Sequence, residues 1–147
     1  MNIKAIIFDW IGTLYGRESG VYSFSERVLK ELSEKYQLGL ISQARFGVDQ
    51  RRGEIAKSGL ENYFAYIQVT EIKSDETYSE MIKQMQLNAN EVAIIDDRVI
   101  RGVKIGNQLG CVTYWVEKGE FPHEHPNEET GQPTQRINTV EDLVELL

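Results

Sequence analysis

Acidic side chains follow two short apolar runs of this sequence, at the points where strands of a buried sheet would end. Asp9 comes directly after the run at residues 3–8, and Asp96 and Asp97 follow the run at residues 92–95. Carboxylates that share one cleft repel one another unless a cation neutralises them. Oxygen ligands with a face open to water suit Mg²⁺. The three acids therefore predict a magnesium site.

Ser42 and Lys73 follow the second and third apolar runs. A lysine in a cleft adds a fixed positive charge for an anionic substrate and keeps a nearby carboxylate ionised. The Ser42 hydroxyl can donate to a phosphate oxygen, and the turn at Gly12 and Thr13 offers backbone amides for the same purpose. These groups predict a phosphoryl site that works by positioning and charge neutralisation. A carboxylate in such a site can also be the attacking group.

These polar groups form one site only if the secondary structure brings them to the same edge of a sheet. Short apolar, β-branched runs alternate along the chain with segments whose apolar residues recur at helical spacing. Strands are predicted at residues 3–8, 38–41, 66–69, 92–95 and 112–116, and helices at 24–35, 48–58, 78–85, 103–109 and 140–147. The alternation predicts an α/β fold with a mostly parallel sheet, in which ligands bind beyond the carboxyl ends of the strands.

Size and composition are typical of one α/β domain over residues 1–147. The chain has 16 basic and 23 acidic residues, and this net charge of −7 disfavours general binding to nucleic acid or to anionic lipid. The single cysteine, Cys111, has no partner for an internal disulfide and fits a reducing cytosol. No apolar run reaches the length of a membrane span. We therefore expect a cytoplasmic protein that does not bind membranes.

In order and spacing, the segments that carry the polar groups resemble the four motifs of the haloacid-dehalogenase-like (HAD) hydrolase superfamily. IIFDWIGTL (residues 6–14) is similar to the first motif, and LIS (residues 40–42) to the second. KSD (residues 73–75) is similar to the third motif, and AIIDD (residues 93–97) to the fourth. The resemblance covers nearly the whole chain. It implies a three-layer Rossmann-like fold with a parallel five-stranded sheet in the order 5-4-1-2-3 and no cap domain.

The resemblance also implies a role for each polar residue. Asp9 corresponds to the nucleophile that forms an aspartyl-phosphate, and Lys73 to the lysine that orients the nucleophile and the phosphate. Ser42 corresponds to the phosphate-binding hydroxyl. The Mg²⁺ ligands that it implies are Asp9, the backbone carbonyl of Ile11, Asp96 and the neighbouring Asp97.

Two residues depart from the family pattern. Family phosphatases usually have an aspartate general acid/base two residues after the nucleophile, where this chain has Ile11. Losing such a group typically lowers the rate by roughly 10²–10⁴. Arg101 replaces an acid that is frequent in the fourth motif, and it either helps to bind an anion or weakens the metal site.

Three functions stay open at this point. The first is a Mg²⁺-dependent phosphohydrolase that acts on a phosphorylated small molecule or macromolecule. The second is a non-catalytic relative with a binding or regulatory role, which Ile11 and Arg101 favour. The third is a dehalogenase-like or phosphonate-type hydrolase, which is disfavoured because such enzymes use cap-domain residues and the segment between Asp9 and Leu38 has room for one helix. A site without a cap would admit large substrates, or a second subunit of a homo-oligomer would cover it.

Other polar segments are interpreted as structural. Arg45, Arg51 and Arg52 belong to a basic helical segment and its start; they could form a rim that attracts anions, but we expect them on a solvated helix face. Residues 117–137 are rich in Gly, Pro, His, Asn and Glu, which predicts a long surface loop.

Overall fold

The computed structural model describes residues 2–147, and a parallel β-sheet forms the centre of the fold. The strands are β1 (Ala5–Phe8), β2 (Tyr15–Gly16), β3 (Gly20–Val21), β4 (Gln37–Gln43), β5 (Tyr66–Thr70), β6 (Val92–Asp96), β7 (Val112–Val116) and β8 (Gln135–Ile137). The α-helices are α1 (Ser25–Ser33), α2 (Val48–Lys57), α3 (Asp75–Gln84), α4 (Lys104–Leu109) and α5 (Leu143–Leu146). A π-helical turn, Val99–Val103, leads into α4.

The main sheet has six strands in the order β5-β4-β1-β6-β7-β8, and every neighbouring pair is parallel. The order of the five predicted strands is confirmed, as is the α/β class. The prediction of only five strands was wrong, because Gln135–Ile137 pairs with β7 inside the segment that we predicted to be a loop. This edge strand has three residues and buries only Ile137, so it carries no apolar run that would reveal it.

Helices cover both faces of the sheet, and the alternation of side chains along β1 shows the two layers. Ile6 and Phe8 pack into the cluster that contains buried residues of α1, α2 and α5. Ala5 and Ile7 pack into the opposite cluster, which contains buried residues of α3 and α4. A strand that is covered on both sides must be apolar at every position, and all four residues of β1 are buried. The fold is therefore a three-layer α/β sandwich.

The strand register determines which side chains meet at the carboxyl edge of the sheet. Phe8 pairs with Ile95 of β6 on one side and with Leu40 of β4 on the other. Because the strands are parallel and in this register, Asp9 comes level with Asp96. The segment between Asp9 and β4 contains the antiparallel hairpin β2–β3 and helix α1. Within residues 2–147, no helix has the length and apolarity that a membrane span requires.

Candidate active site

Three buried carboxylates meet where β1 and β6 end. Asp9, Asp96 and Asp97 each offer an oxygen, and these oxygens lie within 4.8 Å of one another. All three residues are less than one-tenth exposed. Carboxylates this close and this buried repel one another strongly when ionised. The cluster therefore needs compensating positive charge.

Lys73 supplies part of that charge from the turn after β5. Its Nζ donates to Asp9 Oδ1 at 2.7 Å and to Asp96 Oδ2 at 2.9 Å, and its side chain is only 1% exposed. The Lys73 backbone N–H donates to Gln43 Oε1 at 2.9 Å, which ties the turn to the end of β4. Ser74 caps the following helix α3, so the lysine is held between two fixed elements.

Asp96 has hydrogen-bond partners at both carboxylate oxygens. Oδ1 accepts from the backbone N–H of Arg98 at 2.9 Å. Oδ2 accepts from the backbone N–H of Gly102 at 3.0 Å, in addition to its contact with Lys73. The π-helical turn after β6 provides the Gly102 donor. Asp96 is therefore already held by the protein on both sides.

Asp97 differs from Asp96 in having a free oxygen. Its Oδ2 accepts from the backbone N–H of Glu120 at 3.0 Å, whereas its buried Oδ1 has no hydrogen-bond partner among residues 2–147. A buried polar atom without a partner costs about 1–3 kcal/mol. Asp97 Oδ1 therefore has the capacity to accept a cation or a donor that the chain itself does not provide.

The environment shifts the pKa values of the three acids in different directions. Burial opposes ionisation of Asp9, but the charge and hydrogen bond of Lys73 outweigh it and lower the pKa of Asp9. Burial and the charge of Asp9 raise the pKa of Asp96 to about 6. Burial, together with the charges of Asp9 and Asp96, raises the pKa of Asp97. Asp9 is thus the member of the cluster that ionises most readily, as suits a carboxylate nucleophile.

The turn after Asp9 approaches the cluster closely because residue 12 is a glycine. Gly12 has a φ of +84°, and a Cβ at this position would lie 2.1 Å from Asp97 Oδ2. Its N–H donates to the carbonyl of Tyr15, and the N–H of Thr13 donates to the carbonyl of Trp10. The structure therefore does not present these two amides as free phosphate donors, contrary to our prediction. The Thr13 hydroxyl instead donates to Asp9 Oδ2 at 3.3 Å.

Gly102 provides a test of how tightly Asp96 is packed. A Cβ at residue 102 would lie 2.3 Å from Asp96 Oδ2, so we expect Gly102→Ala to displace this carboxylate and to destabilise the fold by about 1–3 kcal/mol. The measurement is urea unfolding. Gly53→Ala is the matched control, since a Cβ there meets nothing within 4 Å and alanine in a helix gains about 0.5–1 kcal/mol. A Gly102→Ala protein as stable as the wild type would show that Asp96 is not confined in this way.

The structure places Ser42 at the same edge of the sheet, where the guanidinium group of Arg51 contacts its hydroxyl. Ser42 is completely buried, and its Oγ accepts from Arg51 Nη1 at 2.7 Å. The same nitrogen donates to the carbonyl of Gln43 at 3.1 Å. The hydroxyl that we predicted to bind phosphate is therefore covered by a guanidinium group.

The interpretation of Arg51 as a solvated side chain was wrong. Arg51 turns inward from α2 and is 15% exposed, and its Nε pairs with Glu54 at 3.2 Å. Arg52, on the next position of the helix, is 60% exposed, and Arg45 is also exposed. Helical spacing alone does not separate the inward-facing arginine from its neighbour, because α2 buries only Ile55 and has no wide apolar stripe.

A cavity of about 230 Å³, which we call the catalytic cavity, opens in front of the acidic cluster. Its lining consists of two acids of the cluster, four arginines, the apolar residue 11, one residue at the end of β4 and two residues of the loop after β7. These residues are Asp9, Ile11, Arg17, Gln43, Arg51, Asp97, Arg98, Arg101, Glu120 and Phe121. Ile11, whose carbonyl is a predicted metal ligand, thus lines the cavity. Its side chain occupies the position at which family phosphatases usually have an aspartate.

Sequence reasoning missed several residues of this lining. Arg17 comes from the β2–β3 hairpin and pairs with Glu120 at 3.0 Å. Arg98 pairs with Glu124 at 2.9 Å, and its guanidinium lies 3.7 Å from the centre of the Phe121 ring. The loop residues lie in the segment that we predicted to be a surface loop. No spacing in the sequence signals these contacts, because loop and hairpin meet only in the folded chain.

Comparison with known proteins gives one curated relative with partial overlap. No protein-family model matches the chain. The chain is 29% identical over 101 residues to the pyrimidine 5'-nucleotidase PynA of Streptococcus pneumoniae. The matched region is 65% of this chain and 41% of that protein, so the chain spans less than half the length of this relative.

Solved structures establish the fold. A haloacid dehalogenase-like family hydrolase from Streptococcus pneumoniae superposes with a TM-score of 0.78 at 12% identity and covers 99% of this chain and 98% of its own. A 2-haloacid dehalogenase from Pseudomonas syringae pv. Tomato DC3000 has a TM-score of 0.70 at 21% identity, covering 90% and 56%. A HAD phosphatase from Thermococcus onnurineus has a TM-score of 0.68 at 17% identity, covering 86% and 58%. The chain therefore has the fold of haloacid-dehalogenase-like hydrolases, which is the fold that the resemblance of its four motifs implies.

Proposed function

We propose that this chain is a Mg²⁺-dependent phosphohydrolase in which Asp9 attacks the phosphorus atom of the substrate. The observation that carries the proposal is the setting of the Asp9 carboxylate. It is buried and bound by Lys73 at 2.7 Å, and it lines the catalytic cavity together with four arginines. Guanidinium groups are suited to the oxygens of a phosphoryl group. A carboxylate nucleophile in a cationic cavity favours phosphoryl transfer over binding alone.

The residues of the cluster fit a divalent cation. Three carboxylate oxygens lie within 4.8 Å of one another, and Asp97 Oδ1 lacks a partner among the described residues. Asp9, Asp97 and the Ile11 carbonyl would hold the ion, with Asp96 beside them engaged by Lys73 and by two backbone donors. When bound, Mg²⁺ supplies additional charge neutralisation at the phosphoryl oxygens.

The chain's own residues account for the two chemical steps. Lys73 and Thr13 hold the two oxygens of Asp9, so the carboxylate is oriented before the substrate arrives. Asp9 forms a bond to phosphorus while the bond to the ester oxygen breaks, and the leaving oxygen takes a proton from solvent. A water molecule then attacks the phosphorus, releases inorganic phosphate and regenerates the Asp9 carboxylate. Lys73, which binds Asp9, places a positive charge that offsets part of the charge of the transferred group in both steps.

Ile11 limits the range of substrates in this mechanism. It lines the catalytic cavity but provides no proton for a leaving alkoxide. We therefore expect turnover to favour esters with good leaving groups. The same residue supports the second candidate function, a non-catalytic relative that binds phosphate without hydrolysing it.

Steady-state phosphate release tests the proposal. Phenyl phosphate, 4-nitrophenyl phosphate and nucleoside 5'-monophosphates are assayed with Mg²⁺ and with excess chelator. The nucleotides are included because the relative from Streptococcus pneumoniae is named a pyrimidine 5'-nucleotidase. Phosphate release that requires Mg²⁺ supports a hydrolase. Equal rates with and without protein, under conditions where the protein binds phosphate, would support the non-catalytic alternative.

Introducing an acid at residue 11 tests whether the missing proton donor limits the rate. Ile11→Asp is expected to raise kcat/KM for phenyl phosphate about tenfold, which is less than the roughly 10²–10⁴ that a well-positioned general acid contributes. The measurement is the ratio of kcat/KM for phenyl phosphate to that for 4-nitrophenyl phosphate, which needs less protonation. Ile11→Asn is the control of similar shape without the proton. An equal gain in this ratio for Ile11→Asp and Ile11→Asn would show that proton donation at residue 11 does not limit the rate.

A further inference from the structure

Most arginines around the catalytic cavity are neutralised by the protein itself. Arg17 pairs with Glu120, Arg51 with Glu54 and Arg98 with Glu124, as the ion pairs above show. Arg101 also lines this cavity, yet it has no carboxylate within ion-pair distance and no hydrogen bond from its side chain among residues 2–147. A half-buried guanidinium group without a partner leaves positive potential that an anionic ligand can neutralise.

A second, larger hollow adjoins the catalytic cavity at this arginine. We call it the arginine hollow. Its volume is about 560 Å³, and it shares Arg17, Gln43, Arg51 and Arg101 with the catalytic cavity. The same four side chains therefore border both spaces. A ligand that occupied both would place one group near Asp9 and another in the hollow.

Arg45 adds a second unpaired cation to the hollow. It has no ion pair among residues 2–147, and its guanidinium lies 5.4 Å from the centre of the Phe46 ring. The only acid in the lining is Glu54, which forms an ion pair with Arg51 and accepts a hydrogen bond from Trp10. The hollow is thus strongly basic, although the whole chain has a net charge of −7.

We propose that the arginine hollow binds a second anionic group of the substrate, so that the substrate is a phosphate ester that also carries a carboxylate or a further phosphate. This inference rests on the proposed function, because it assumes that the scissile phosphoryl group lies at Asp9. Arg101 lies at the junction and contacts the second anionic group, and Arg45 contributes charge from the outer side. The arginine that replaces a family acid thereby determines substrate specificity.

Binding of unreactive phosphonates tests the hollow without requiring turnover. Isothermal titration calorimetry in Mg²⁺ compares propylphosphonate with 3-phosphonopropionate, which has a carboxylate in place of the terminal methyl group. The wild type is expected to bind the carboxylate compound at least about tenfold more tightly, as one charge-assisted contact provides. In Arg101→Gln this ratio should fall to about twofold or less.

Arg52→Gln is the matched control, because Arg52 is 60% exposed, pairs with Asp49 and lines neither cavity. It should keep the wild-type ratio. Equal affinities for the two compounds in the wild type, or no binding of either, would overturn the inference. So would a ratio that Arg101→Gln leaves unchanged.

Hydrolysis of phenyl phosphate tests the proposed function separately from the binding experiment. Turnover without a carboxylate preference would reject the arginine hollow and retain the hydrolase. A carboxylate preference without any turnover would reject the hydrolase and leave the hollow as the anion site of a non-catalytic protein. A carboxylate preference in binding together with turnover of phenyl phosphate supports both.

Discussion

Asp9→Asn is expected to lower kcat for phosphate esters by at least about 10⁴, a loss typical of removing a covalent nucleophile. The amide oxygen of asparagine is a weak nucleophile, and the variant also loses the negative charge that Lys73 binds. Shape and volume are retained, so the substitution tests chemistry rather than packing. Loss of turnover with a wild-type circular dichroism spectrum and an unchanged or tighter affinity for phosphate is the expected pattern.

The covalent intermediate gives a second measurement of the same claim. Rapid acid quenching during turnover, followed by mass spectrometry of the intact chain, should detect a phosphorylated wild-type protein and no phosphorylated Asp9→Asn. Asp49→Asn is the control, because the Asp49 side chain is completely exposed on α2 and does not line the catalytic cavity, while the chemical change is the same. Wild-type turnover by Asp9→Asn would remove Asp9 as nucleophile, and the proposed function with it.

Lys73→Met is expected to destabilise the fold by about 3–5 kcal/mol, because it breaks a buried ion pair and leaves carboxylates without their cation. The side chain is 1% exposed and contacts both Asp9 and Asp96, so solvent cannot take over its role. Turnover should also be lost, since Asp9 Oδ1 is no longer held. The measurement is urea unfolding at pH 7 in the presence of a chelator. Lys57→Met, at an exposed position of α2, should change stability by less than about 0.5 kcal/mol.

The direction of the pKa shifts predicts how the free energy of unfolding depends on pH, both in the wild type and in Lys73→Met. Asp96 and Asp97 have raised pKa values in the folded chain, so folding takes up protons and stability falls as pH rises from 5 to 8. Lys73 is protonated in both the folded and the unfolded chain over this range, so its own titration adds nothing to the slope. Without Lys73 the acids hold their protons more strongly, and we expect a steeper slope. Equal slopes for Lys73→Met and the wild type would show that the ammonium group does not compensate this cluster.

The positions of the acidic cluster and of Lys73 follow from sequence patterns that the fold preserves. Apolar runs that end in Asp9 and Asp96 predict two buried parallel strands, and their register brings the two acids level. The residue after Asp96 enters the same cluster because the chain turns immediately after β6. Lys73 belongs to the same edge because it follows β5 by a short turn and precedes a capped helix. The strand ends follow from local periodicity and the shared edge from the geometry of parallel sheets, whereas the strand order that puts Asp9 beside Asp96 was implied by the resemblance to HAD-like hydrolases.

The predictions that were wrong concern side chains whose direction is set by contacts between distant segments. The amides of Gly12 and Thr13 are used inside their own turn, which a sequence of polar and small residues does not reveal. Arg51 bends inward because Ser42 and Glu54 offer it acceptors. Strand β8 forms because β7 offers a free edge, and its own three residues carry almost no apolar signal.

The lining of the catalytic cavity shows most clearly that contacts between distant segments cannot be predicted from local sequence patterns. Arg17, Arg98 and Glu120 come from a hairpin, a turn and a loop, and only the packing of these segments over the sheet edge brings them together. Short-range patterns of apolar residues determine strands, helices and their order, because burial of each element depends on its own periodicity. Which polar side chains meet across the edge, and which of them stay unpaired, depends on distances between segments that only folding of the whole chain creates.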